Sequence, residues 1–134
     1  MALAKRFEDM EVWKKGCRLS CEIFRLAEKG SLSRNFVLRD QICASGLSIP
    51  SNIAEGLARQ STIDFIRFLR ISLGSLFEAQ TQFELAKRLG YLEHAGRGTL
   101  SSQGREIERM LTALIRSLSA RKAFRRRTDH GTNG

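Results

Sequence analysis

A chain of 134 residues with 42% hydrophobic content, one proline and few β-branched residues can bury a single core, and it reads as all-α. A formal charge of +9 and a pI near 10.3 ask for a polyanionic partner, most naturally nucleic acid. No apolar run approaches the roughly 20 residues of a bilayer span, the N-terminus lacks a signal-peptide core, and Cys17, Cys21 and Cys43 lack metal-type spacing, so the expectation is a cytoplasmic protein with reduced thiols and no membrane role.

The first helix is expected to start near Glu8–Asp9, where acids suit the positive end of the helix dipole, with Phe7 stapled onto Val12. Val12, Gly16, Leu19, Ile23 and Leu26 form one seam. Trp13, Cys17, Ser20, Phe24 and Ala27 form its neighbour, and the two make a wide apolar face. Lys14, Lys15 and Arg18 fall away from it. Gly30 stops the helix after Lys29, and Ser31 to Arg34 read as a short loop.

A second helix, from about Asn35 to Arg59, contains the only proline in the stretch Ser48-Ile49-Pro50-Ser51-Asn52-Ile53-Ala54-Glu55-Gly56. Proline inside a helix removes one backbone hydrogen bond and crowds the carbonyl four residues earlier, at about 3 kcal/mol. Here that earlier residue is Gly46, which adds no side chain to the crowding. Two readings compete. In one, the helix continues with a kink, because the seams Ile42–Gly46–Ile49–Ile53–Leu57 and Cys43–Leu47–Pro50–Ala54 keep their register across the proline. In the other, it breaks, and Asn52 caps a new helix with Glu55 completing a capping box. The retained register favours the kinked helix. Ser45, Ser48, Asn52, Glu55 and Arg59 form a third stripe. Serine and asparagine suit a solvated helix face poorly, so the stripe reads as close packing within the chain or between subunits. The two apolar seams, with Phe36, Val37 and Leu38, exceed what one bundle buries, and the surplus points to a homo-oligomer.

Ser61 can cap the third helix, with Asp64 at the reciprocal position. That helix should run from Thr62 to Leu89 and end at Gly90. Its apolar positions are Phe65, Ile66, Leu69, Leu73, Leu76, Phe77, Phe83, Ala86 and Leu89. Gly74 costs about 1 kcal/mol relative to alanine, which suggests that another backbone approaches there. Tyr91 to Ser101 read as the longest loop. The fourth helix spans Ser102 to Ala123, with Ile107, Met110, Leu111, Leu114, Ile115 and Leu118 inward. The fold class is therefore all-α, an antiparallel up-down four-helix bundle with a kinked second helix. The bundle domain covers residues 1–123, and 124–134 form a basic, disordered C-terminal tail.

Catalytic and metal chemistry is poorly provided for. A di-iron bundle needs several glutamates and Glu-x-x-His motifs, whereas the two histidines, His94 and His130, have no glutamate three residues before them. Cys17 and Cys21 lie one turn apart without further ligands. No nucleophile elbow or glycine-rich phosphate loop occurs, so no catalytic, cofactor or metal site is expected. Candidate phosphate contacts on the folded surface are Lys14, Lys15, Arg18, Arg59, Arg67 and Arg70. Arg121, Lys122, Arg125, Arg126 and Arg127 assist from the tail, where residues 121–134 hold five bases against one acid. Ser48, Pro50, Asn52, Ile53, Glu55, Gly56 and Gly74 are the candidate residues for helix packing or assembly.

Four segments carry a family likeness: Phe7-Glu8-Asp9-Met10-Glu11-Val12-Trp13, the stretch Ser48 to Gly56, Phe65-Ile66-Arg67-Phe68-Leu69 with Gly74-Ser75-Leu76, and Leu89-Gly90-Tyr91-Leu92. Over about residues 7–118 the chain resembles the bacterial 23S rRNA intervening-sequence proteins, four-helix bundles with a related branch in the accessory variability protein of diversity-generating retroelements. The resemblance implies a cytosolic, ring-like homo-oligomer, a pentamer, with no catalytic activity and no cofactor. Through the retroelement branch it implies association with nucleic acid. The combined expectation is a non-enzymatic accessory protein binding RNA or DNA backbone. The alternative is a protein–protein scaffold or adaptor with no direct nucleic-acid role.

Overall fold

The apolar seams of the sequence become the contacts of four long helices. A computed structural model describes residues 6–92 and 97–131, the side chains of 97–99 and 130 excepted. His94 and most of the 91–101 loop expectation lie outside the described residues. The chain makes a 3-10 turn (Phe7–Asp9), then α1 (Glu11–Ala27), α2 (Gly30–Arg34), α3 (Phe36–Ala58), α4 (Thr62–Arg88) and α5 (Arg97–Gly131). There is no strand among the described residues. Helix α1 packs on α3 and α5, and α4 packs on the same two. Leu19, Ile23, Ile42, Ile53, Leu69, Leu76, Ile107 and Leu111 meet between them as one core. Each such side chain contributes about 1.5–3 kcal/mol on leaving water. Among the described residues no helix is long and apolar enough to cross a membrane.

The N-terminal expectations need adjustment. Met10 is extended (φ −79°, ψ 124°), so the Glu8–Asp9 segment forms its own 3-10 turn and α1 starts after it. Phe7 packs edge-on against Trp13, ring centroids 5.1 Å apart. The 31–34 segment is the short helix α2, not a loop. Gly30 makes the turn at φ 58°, and Leu32, fully buried, plugs that end of the core.

Helix α3 is unbroken across Pro50, as the retained register suggests. Asn35 caps it, its Oδ1 accepting from the Leu38 amide at 3.1 Å. Local polar residues bond to the backbone around the proline. Ser51 Oγ donates to the Leu47 carbonyl at 2.8 Å, Asn52 Nδ2 to the Ser48 carbonyl at 2.8 Å, and Ser72 Oγ, from α4, to the Ile49 carbonyl at 2.8 Å. These carbonyls still face the amides of residues 51 to 53, so the side-chain bonds brace the turn and tie it to α4, whereas the bond lost at the proline is the one to the Gly46 carbonyl. Pro50 itself is buried, and Gly16 of α1 lies against it: a β-carbon at Gly16 would sit 3.6 Å from Pro50 Cβ.

Helix α4 starts at the Ser61 cap, whose Oγ accepts from the Asp64 amide at 3.3 Å, and its end is followed by Gly90 at φ 74°. Phe77 and Leu89, expected in the core, are 44% and 57% exposed. They fall on the flank of α4 that no other helix covers. Helix α5 is longer than its apolar pattern at both ends. It begins at Arg97, inside the expected loop, and runs past Ala123 to Gly131.

A basic groove between α4 and α5

The extension of α5 lies beside the first half of α4 and leaves an open groove of about 900 Å³ between them. One wall carries Arg67 and Arg70 from α4, and the other carries Lys122, Arg126 and Arg127 from α5. Helical spacing produces both walls: 67 and 70 are neighbours on one face, as are 122, 126 and 127. The floor is apolar, made by Ile63, Ile66, Ile71 and Ala123, with Ser119 beside it. Among the described residues no acidic side chain lines the groove. Asp64 reaches Arg67 at 3.8 Å, a long and exposed pair that leaves the guanidinium charge available. Crowding five cations costs Coulomb energy unless an anion collects there.

Arg59 joins this end of the molecule. Its guanidinium carbon lies 5.2 Å from the Phe68 ring centroid, and that of Arg67 lies 4.8 Å from the same ring. Glu55 holds Arg59 at 3.3 Å one turn earlier. Arg121 and Arg125 fall on the side of α5 turned away from the groove. Phe124 also lies off it and is 65% exposed.

The remaining predicted cations are elsewhere, on α1. Lys14 pairs with Glu11 at 3.1 Å, and Lys15 reaches across to Glu106 of α5 at 2.6 Å. Arg18 is exposed nearby. The Lys15 hydrogen bond holds the Glu106 carboxyl below the usual carboxylate range; desolvation opposes it, and the charges of Lys15, Arg109 and Arg18 add to the lowering. The two carboxylates partly neutralise the α1 cluster, and Lys15 also ties α1 to α5. The structure therefore brings Arg67, Arg70, Lys122, Arg126 and Arg127 together in the groove, leaves Lys14, Lys15 and Arg18 on α1, and turns Arg121 and Arg125 away from both.

The assembly candidates separate in a similar way. Ser48 Oγ is 2.7 Å from Ser75 Oγ of α4 and accepts from Asn52 Nδ2 at 2.8 Å. Ile53 is fully buried. Gly56 has no room at all, since a β-carbon there would come 2.7 Å from Phe68 Cβ. Glu55 faces solvent with Arg59. Gly74 differs from these, because among the described residues nothing beyond its own turn of helix lies within 4 Å of where its β-carbon would be. The close approach expected at Gly74 is not made by the described residues.

Burial lifts the thiol of Cys17 above its ordinary range, with Cys21 adding to it, and burial does the same for Cys43. Neither is poised as a nucleophile. Among the described residues no cluster of histidine, cysteine and carboxylate side chains could hold a metal ion. What sequence reasoning missed is the groove floor. Ile63 and Ile71 were not singled out, although each sits one turn from a basic residue on α4.

Residues 8–113 match the family described as 23S rRNA-intervening sequence protein. Among solved structures, the chain is similar to the crystal structure of a protein of unknown function from the S23 ribosomal protein family of Bacteroides thetaiotaomicron VPI-5482. The two are 29% identical with a TM-score of 0.70, over 78% of this chain and 97% of that one. No curated protein matches. Neither description names an enzymatic activity.

Proposed function

The chain belongs to the 23S rRNA-intervening sequence protein family, and from that premise we propose that it is a non-enzymatic accessory protein that binds RNA or DNA backbone through the α4–α5 groove. The observation that carries this reading is a groove with five basic side chains in its walls and no acid among the described residues that line it. Phosphates are the polyanion such a surface fits, and the contact would be salt-dependent and largely independent of sequence. The family resemblance read from the sequence implies the same choice of partner through its retroelement branch. We further propose an antiparallel up-down bundle assembled as a ring-like homo-oligomer, a pentamer, in the cytoplasm. Its support is the exposed apolar side chains Leu47 of α3 and Phe77 of α4, with the open position at Gly74. Assembly multiplies the grooves and adds avidity.

A titration of structured RNA by filter binding tests the first part. Retention should be strong at low salt and fall steeply as salt rises. No retention even at low salt overturns it. Light scattering in high salt, after nuclease treatment, tests the assembly, and a monomer there overturns it. A second reading, a protein scaffold, is favoured by the same apolar stripe. It predicts a protein partner that co-purifies through nuclease and high salt.

A further inference from the structure

We infer that the groove takes a single-stranded segment, with its phosphates on the two basic walls and its unstacked bases on the isoleucine floor. The inference rests on the nucleic-acid reading and names the class of ligand for that same site. Charge alone does not choose between strand and duplex, because both present phosphates. The floor does choose. Ile63 and Ile71 are 55% and 42% exposed, and together with Ile66 and Ala123 they form apolar surface between two rows of cations. A duplex keeps its base faces inside its own stack and offers phosphate and sugar outside. Set into this groove, it would bury the isoleucines against polar backbone and gain nothing from them. A single strand carries both chemistries along one chain, anionic on one side and apolar on the other. The two rows of cations lie on opposite helices and the isoleucines line the same groove, which suits a strand running along it. The floor has no aromatic ring, so contact is with base faces in general and carries no sequence code.

The test compares a labelled homopyrimidine strand about twenty nucleotides long with a duplex of equal length, by fluorescence anisotropy at matched salt. The full chain is used, as wild type and as the double variant Ile63→Gln/Ile71→Gln. Both positions are exposed and helical, and glutamine is a good helix former, so melting temperature should hold. Wild type should bind the strand more tightly than the duplex. The glutamine variant should lose about tenfold for the strand, as expected from removing apolar contact at two isoleucines, with the salt slope and duplex affinity unchanged. Ile63→Phe/Ile71→Phe should keep or raise strand affinity. Equal or tighter duplex binding, or a glutamine variant with unaltered strand affinity, overturns the single-strand inference and leaves the basic-groove reading standing if Arg70→Ala still weakens binding. Binding to neither nucleic acid, with retention on phosphatidylserine vesicles instead, would overturn both and assign the groove to a membrane surface.

Discussion

On the flank of α4 that meets α3, small and polar residues are matched across the contact. Ser72 reaches the Ile49 carbonyl, Ser75 meets Ser48, and Phe68 closes over Gly56 so tightly that a methyl group would not fit. On the flank that meets the end of α5, Arg70 and its neighbours stand apart from Lys122 and Arg126 across an open groove. The inner flank is packed like a domain interior, where one extra methylene is felt. The outer flank keeps like charges together over exposed isoleucine, an arrangement that raises the energy of the empty protein. A face that contributes so little to stability is more readily understood by what it binds. The same helix thus serves as structure on one side and, in the proposed function, as recognition surface on the other.

The largest effect should come from disturbing the inner flank. Gly56→Ala forces a β-carbon into Phe68 and should destabilise the fold by about 2 kcal/mol after the gain in helix propensity, read as a lower denaturation midpoint with nucleic-acid binding intact in the folded fraction. A neutral result would show that α3 and α4 separate easily and that the two flanks differ less than their packing implies. Next in size is the outer flank. Arg70→Ala and Arg126→Ala should each weaken RNA binding about tenfold, or about 1.4 kcal/mol. Each should also flatten the salt dependence by nearly one unit in log–log slope, while the melting temperature stays put. If Lys14→Ala costs as much as Arg70→Ala, the α1 cluster is the true surface and the groove is incidental.

The inner flank was largely legible in the sequence and the groove was not. The seam through Ile42, Gly46, Ile49 and Ile53 repeats with the helical period, and the caps at Asn35 and Ser61 have local chemistry, so both could be read from neighbouring residues. Leu32 could not, because a five-residue helix is too short to show a period. Phe77 and Leu89 show the limit of periodicity: it says that an apolar residue lies on a face, but not whether another helix covers that face. Arg67 and Arg70 were visible as cations, as were Lys122, Arg126 and Arg127, but as surface and tail. Their meeting depends on α5 continuing past Ala123 and lying along α4. One signal pointed that way, since no glycine or proline interrupts the chain between Arg105 and Asp129.

Gly74 sharpens the comparison from the side that no helix of this chain covers. Its β-carbon position is empty, so Gly74→Ala should stabilise an isolated protomer by about 0.5–1 kcal/mol through backbone entropy. In a ring, a neighbouring backbone would meet that methyl group. The expected outcome is a smaller particle by light scattering together with a more stable protomer. A stabilised protein of unchanged mass would mean that this flank faces solvent and that assembly uses another surface.

The smallest effect concerns the α1 cluster, and it is a matter of acid sensitivity. Glu106 is held below the ordinary carboxylate pKa chiefly by the hydrogen bond from Lys15. A carboxyl depressed in the folded state binds its proton more readily when unfolded, so its contribution is complete above the unfolded value and fades as pH falls through the folded one. The stability difference between wild type and Glu106→Gln should therefore be constant from neutral pH down to about pH 5 and shrink below it. Both side chains are partly exposed, so the difference should be modest and weaken with salt. Denaturant midpoints of the two proteins across this range supply the measurement. A gap that persists undiminished at pH 3 would mean that the Glu106 side chain acts through packing, and the α1 cations would then be freer for phosphate than their pairing suggests.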